Sequence, residues 1–182
     1  AVCFQIQSLQ QFGGVSASHI DHSMVPYVRK SFRKHYINSW IKQCPEFYEI
    51  DILGLNYHEF NKLVEKLITN FYFTTKIKDD DFRFDSKVLD EKLKQRALFS
   101  TKKETYQAVE GLYHNLNTLQ SRSGNQLPFS SINYGTCTEL EGRMVIKALL
   151  EVSIEGLGKY GLTSIFPCGI FQYKKGVNDK PG

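Results

Sequence analysis

The sequence has few cysteines and no long apolar run, and each shortage excludes something. Four cysteines stand in 182 residues, at Cys3, Cys44, Cys137 and Cys168. They are far apart and make no C-x-x-C pair, so neither a zinc site nor a dense disulfide framework is indicated. Reduced thiols in a cytoplasmic protein are the default for such a pattern. No apolar stretch approaches the roughly 18 residues needed to span a bilayer. No basic, then apolar, then small-residue segment opens the chain, so no signal peptide is read there. The net charge of +4 is mild. It does not call for a nucleic-acid polymer, although it would help a nucleotide bind. There is no internal repeat and no low-complexity segment. An initiator Met is also lacking: the chain begins Ala1-Val2-Cys3-Phe4 and stops at Asp179-Lys180-Pro181-Gly182. It therefore reads as an internal fragment of a longer protein. With 41% hydrophobic and 13% aromatic residues, it has the composition of one globular domain with a sizeable core.

The most informative stretch runs from Asn115 to Thr138. It starts as the tail of a helix and passes through a polar turn, Ser121-Arg122-Ser123-Gly124-Asn125-Gln126. Leu127–Tyr134 then reads as a strand, with Pro128 near its start, where a missing N–H is tolerated. The stretch closes on a second turn, Gly135-Thr136-Cys137-Thr138. A guanidinium offers a planar fork of donors, side-chain amides offer paired donors and acceptors, and Gly124 lets the backbone come close. Such a turn suits a phosphate, a ribose or a base edge. The plainer alternative is an ordinary surface loop.

Before this stretch the chain reads as helices and connectors. Residues 1–12 carry Val2, Ile6 and Leu9 at helical spacing, with Gln5, Gln7, Gln10 and Gln11 between them. Gly13-Gly14 reads as a helix stop, or else as a place of close backbone approach to a ligand. Residues 15–20 fit a strand or an extended link. From Ser23 to about Ile41 a helix is expected, with Ser23 as N-cap and Pro26 in the first turn. Its apolar face is Val25, Val28, Phe32 and Tyr36, and Arg29, Lys30, Arg33, Lys34 and His35 fill the rest. The basic residues form either a solvated face or an anion site. His19, His22 and His35 lack a metal-binding spacing, and a polar or capping role is the simpler one. Residues 43–56 read as a connector and residues 57–73 as an amphipathic helix. Asp79-Asp80-Asp81 reads as a solvated turn, since neighbouring carboxylates diverge along the backbone.

Lys87 to about Gln120 is helical in pattern. Two helices could meet near Ser100-Thr101, where Thr101 and Glu104 would make a capping box. Glu139–Glu155 is a further helix, with Met144, Val145, Ala148, Leu149 and Val152 inward and Gly156 and Gly158 as terminators. Ile165–Tyr173 fits a largely buried strand. Strands that follow helices argue for an α/β fold.

Several segments carry a resemblance to a known family. NLNTLQSRSGNQLPFSSINYGT, then EGRMVIKALLEVSIEGLG, then IFPCGIFQYKKGVND, resemble the anaerobic, glycyl-radical ribonucleoside-triphosphate reductases in their large catalytic subunit. The opening QIQSLQQFGGVSASHIDHSMVPYVRKSF and the later KKETYQAVEGLYHNLNT are similar to the same family. The resemblance implies part of a ten-stranded α/β barrel, helix-rich in this piece. Residues 1–100 would hold effector and dimer-interface helices, and residues 101–182 a helix-loop-strand barrel segment. It implies conversion of nucleoside triphosphates to deoxynucleotides for DNA replication, regulated by ATP and deoxynucleotide effectors. A glycyl radical, installed by an S-adenosylmethionine-dependent iron–sulfur activating enzyme, would supply the radical chemistry, with formate as reductant.

The radical glycine and a four-cysteine zinc module have no counterpart in these segments and are expected elsewhere in the parent protein. No catalytic residue is identifiable in this chain. Cys137 could sit near substrate but is not taken as the radical carrier. By the same resemblance, Arg122, Ser123, Gly124, Asn125, Gln126, Ser130, Ser131 and Asn133 would contact substrate. Gln7, Gln10, Gln11, Gly13, Gly14, Arg29, Lys30 and Lys34 would bind effector at the interface of a homodimer. The other reading is a nucleotide-binding regulatory or dimerisation module with no catalysis of its own.

Overall fold

The structure, a computed structural model, describes residues 3, 4, 6, 7, 13–42, 59, 62, 86–118, 127 and 129–179. In chain order its elements are β1 (Val15–Ala17), α1 (Ile20–Ser23), α2 (Val25–Ile41), α3 (Ser86–Thr118), β2 (Ser130–Tyr134), α4 (Leu140–Glu155) and β3 (Cys168–Phe171). The chain divides into two units, residues 1–28 with 103–182, and residues 29–102.

The first unit is built on a parallel sheet in the order β1-β2-β3. Parallel neighbours need a long crossover, and α4 supplies it between β2 and β3. The pattern of α4 explains why it packs where it does: Val145, Ala148, Leu149 and Val152 recur at helical spacing and are all buried. They close over Ile132 and Tyr134 of β2, together with Val109 and Tyr113 of α3, Ile20 and Val28. Each large side chain sealed there contributes about 1.5–3 kcal/mol. Gly156 ends α4 at φ +78°, and its N–H reaches the Val152 carbonyl at 3.0 Å. Ser130, Ile132 and Tyr134 face this core, and Ser131 and Asn133 alternate to the opposite side of the sheet.

At the far end of the unit, Asn117 ties α3 to the segment before β3. Its Nδ2 donates to the carbonyls of Tyr113 (2.7 Å) and Phe166 (2.5 Å). Its Oδ1 accepts the N–H groups of Ile165 (2.8 Å) and Phe166 (3.0 Å).

In the second unit, Tyr36, Ile37 and Trp40 of α2 are buried, as are Leu93 and Ala97 of α3. The Tyr36 hydroxyl donates to Asp90 Oδ1, and Lys94 Nζ lies 2.7 Å from Asp90 Oδ2. Burial first, then the carboxylate of Asp90, pushes the Tyr36 hydroxyl pKa well up.

Four sequence expectations need correction. Residues 86–118 form one helix, with no break at Ser100-Thr101. Thr101 is fully buried and its hydroxyl donates back to the Ala97 carbonyl at 2.8 Å, so it makes no capping box. Ser23 ends α1 and does not cap α2, because Met24 stands between them. Of the expected apolar face of α2, Val25, Val28 and Tyr36 are buried within the chain and Phe32 is half-buried. Finally, β3 is not buried: all four of its residues are exposed. The described residues hold three parallel strands, compatible with an α/β fold, and a ten-stranded barrel is not seen among them.

Candidate functional site

Three chain segments meet where the parallel strands end. The carboxyl ends of parallel strands are where open and closed α/β sheets place their ligands. Here β1 runs out through His19 into α1, β2 into the turn Gly135-Thr136-Cys137, and β3 into Gln172 and the turns that follow.

Asp21 stands at the centre of this junction. It is 0% exposed. Its Oδ2 accepts the backbone N–H groups of Gly135 at 3.0 Å and Cys137 at 2.9 Å. Its Oδ1 accepts the N–H of His22 at 3.1 Å. Burial by itself would raise the pKa of this carboxyl. The three N–H donors and the neighbouring His22 outweigh that and hold it below its ordinary value, so the group is an anion at neutral pH.

The turn is gripped from its other side by Asn178. The Nδ2 of Asn178 donates to the carbonyls of Gly135 (2.8 Å) and Gln172 (2.7 Å), and its Oδ1 accepts the Lys174 N–H at 2.7 Å. Gly135 adopts φ +124°, and a Cβ there would sit 2.8 Å from the Phe171 ring and 2.9 Å from the Gln172 carbonyl oxygen. Only glycine fits. Beneath the turn, α4 passes so close that a Cβ on Gly142 would overlap Cys137 Sγ and lie 2.7 Å from its Cβ. Cys137 is therefore buried under α4, at 3% exposure.

The polar groups left over at this end are informative. Thr136 is only half-buried, and its Oγ1 pairs with His22 Nε2 at 3.1 Å. The His19 and His22 rings approach edge to face, with centroids 6.0 Å apart. Asn133 Oδ1 and Gln172 Oε1 are buried with no hydrogen-bond partner among the described residues. A buried acceptor left unpaired costs about 1–3 kcal/mol, so both oxygens are suited to receive a donor from a ligand. In register, Ser131 lies between Ser16 and Cys168, and Asn133 beside Ile170, all on the sheet face opposite the core.

The structure brings together some of the sequence-predicted site residues and separates others. Ser131 and Asn133 share one face of β2. Ser130 is on the other, fully buried. Arg122, Ser123, Gly124, Asn125 and Gln126 lie outside the described residues, as do Gln10 and Gln11. Gln7 is exposed on a helical turn, and Gly13 is exposed at φ +123°. Gly14 does make a close approach, but to the protein itself: a Cβ would sit 2.8 Å from the Phe129 ring. In the second unit, Arg29 and Lys30 are exposed and Lys34 half-buried. Arg29, Arg33 and Lys34 already have interactions within the chain. Among the described residues no group of three or more His, Cys, Asp or Glu could hold a metal ion, and no helix is long and apolar enough to cross a membrane.

Asp21, His22, Thr136 and Asn178 were missed as site residues. The Asp21 bonds span more than a hundred residues, so no local spacing shows them. The available signal was a single acid in the otherwise uncharged SASHIDHSMVPY, beside two His.

Residues 1–182 match the family model for anaerobic ribonucleoside-triphosphate reductase. The chain belongs to that family. It is similar to the anaerobic ribonucleoside-triphosphate reductase of enterobacteria phage T4, 29% identical over 168 residues, covering 92% of this chain and 20% of that protein. It is similar also to the protein of the same name from Haemophilus influenzae, 28% identical over 171 residues, covering 94% of this chain and 18% of the relative. The Escherichia coli protein of that name is 38% identical over 82 residues, covering 45% of this chain and 11% of its own length. The chain thus spans about a fifth of the length of the phage and Haemophilus relatives. Against this anaerobic reductase family the strand-end junction acquires a chemical context.

Proposed function

We propose that this chain is part of a cytoplasmic anaerobic ribonucleoside-triphosphate reductase and forms one wall of its nucleotide site, at the carboxyl ends of β1, β2 and β3. The observation that supports this most is the buried, unpartnered Oδ1 of Asn133 on the sheet face opposite the core. An amide oxygen there can accept a ribose hydroxyl or a base amine, while the neighbouring Ser131 hydroxyl donates or accepts. The three strands would belong to a ten-stranded barrel completed by the rest of the parent protein. The polar turn 121–126, joining α3 to β2, would carry the donors Arg122, Asn125 and Gln126 to the base and report which effector is bound.

A glycyl radical made by the iron–sulfur activating enzyme supplies the hydrogen-atom chemistry elsewhere in the parent, with formate as reductant. Zinc has no donor set among the described residues. The residues of this chain bind and orient the nucleotide. Gln7 and Gly13 in the first unit, and separately Arg29 and Lys30 in the second, are the proposed effector contacts of a homodimer, responding to ATP and deoxynucleotides.

The test is anaerobic steady-state kinetics on the full-length protein with its activating enzyme. Asn133→Ala should raise KM for the nucleoside triphosphate about tenfold, the equivalent of one lost hydrogen bond in a buried site. Arg122→Ala or Gln126→Ala should change the relative rates on different bases under each effector. An Asn133→Ala enzyme with unchanged KM for every substrate overturns the assignment.

A further inference from the structure

We propose that Asp21 and Asn178 are positioning residues of the reductase, setting the turn Gly135–Cys137 so that Thr136, with His22, presents its hydroxyl to an oxygen of the bound nucleotide; this rests on the reading of the strand ends as the nucleotide site. The backbone of the turn is held from two sides. Both of its N–H groups at Gly135 and Cys137 end on one carboxylate, and its Gly135 carbonyl ends on one side-chain amide. Those partners come from the segments that follow β1 and β3, so three strand exits are fixed to one another by two side chains. Gly142 lies against Cys137 and Phe171 against Gly135, each so closely that a Cβ on either glycine would clash.

A turn that needed only to be closed could be capped by a neutral side chain. A buried carboxylate carries a desolvation cost that a neutral group avoids. Its return is three charge-assisted hydrogen bonds, two of them to the turn, each stronger than a neutral one. Rigid placement matters where a bound group must be held to within about half an ångström. The residue between the two clamped positions is Thr136. Gly135 and Cys137 are buried, whereas Thr136 is half-exposed and its hydroxyl is shared with the exposed His22 imidazole. The clamp therefore delivers a hydroxyl and an imidazole nitrogen as neighbours at the rim of the strand ends. That pair suits a ribose or phosphate oxygen.

The experiment uses the full-length, activated enzyme and compares Asp21→Asn, Thr136→Val, the double variant and Asn133→Ala. Asp21→Asn and Thr136→Val should each raise KM for nucleoside triphosphate about tenfold with kcat within about twofold. The double variant should be no worse than Thr136→Val alone, because Asp21 acts through that residue. A purely structural Asp21 would instead lower the active fraction, and so the apparent kcat, with KM unchanged; that result overturns the proposal. So does a double variant whose KM effects multiply. Should Asp21→Asn fail to fold, His22→Gln and Thr136→Val, which change side chains at the rim, carry the test: unchanged KM in both overturns it. If Asn133→Ala raises KM and the clamp variants do not, only this inference falls. If Asn133→Ala also leaves KM unchanged, the nucleotide-site reading falls with it.

Discussion

β2 and β3 lie side by side, run the same way and pair from Ser131 opposite Cys168 to Tyr134 opposite Phe171. Alternate residues of β2 are buried, yet every residue of β3 is exposed. Their backbones meet the same requirement, one hydrogen-bonded ladder, so the pairing does not set the difference. The covering does. Helix α4 and part of α3 lie over one face of β2 and seal Ile132 completely. Cys168, Gly169, Ile170 and Phe171 have no such cover among the described residues. Apolar sequence therefore prepares a strand for burial, and burial itself is decided by what packs over it. An uncovered apolar strand is also a natural place for further chain to add.

The contrast can be broken by substitution. The largest effect is expected at Ile132→Ala, which empties a fully buried site and should cost about 3–4 kcal/mol in denaturant unfolding. A loss below about 1 kcal/mol there would mean that α4 does not pack on β2 as described. Next comes Asp21→Asn. The folded-state pKa of Asp21 lies below its unfolded value, so its contribution is fully present above about pH 4 and is lost as pH falls through the lowered value. The variant should lose about 2 kcal/mol at neutral pH and show a flatter stability profile below pH 4. A wild-type profile identical to the variant's in that acid range would rule out the charged clamp.

Gly142→Ala follows, because the added methyl meets Cys137 and the Asp21 carbonyl oxygen; about 1–3 kcal/mol is expected by thermal melting. Pairing it with Cys137→Ala, which removes the obstructing sulfur, should recover part of the loss. The smallest effect is assigned to Ile170→Ala on β3. With Ile170 at 46% exposure, the change should cost less than about 1 kcal/mol when measured on this chain alone. A cost near that of Ile132→Ala would show that β3 is covered after all.

Much of this architecture was legible in the sequence, for local reasons. The 3.6-residue recurrence of Val145, Ala148, Leu149 and Val152, with Gly156 behind it, announces α4, and both its inward face and its stop are observed. Pro26 inside the first turn and the run to Ile41 likewise describe α2. Thr101 misled because the same residue types that cap a helix can bond to the carbonyl four residues back, and only tertiary burial decides between the two. Residues 121–126, which lie outside the described residues, stood out by composition. The clamp on Gly135–Cys137 did not, since it joins residues 21, 135, 137 and 178, each unremarkable in its own neighbourhood. The resemblance grouped Ser130 with Ser131 and Asn133, and the two-residue period of the pleat puts Ser130 on the opposite face from the other two.

Asn117 has a mechanical consequence. It uses both donors and accepts two bonds on its one oxygen, so its amide is fully spent on two pieces of chain far apart in sequence. The last turn of α3 and the lead-in to β3 thereby behave as one part, like two rods pinned at a single bolt. An aspartate could not replace it, because a carboxylate has no hydrogens to give to Tyr113 and Phe166. Any displacement of the last turn of α3 is therefore passed to the lead-in of β3 through one side chain.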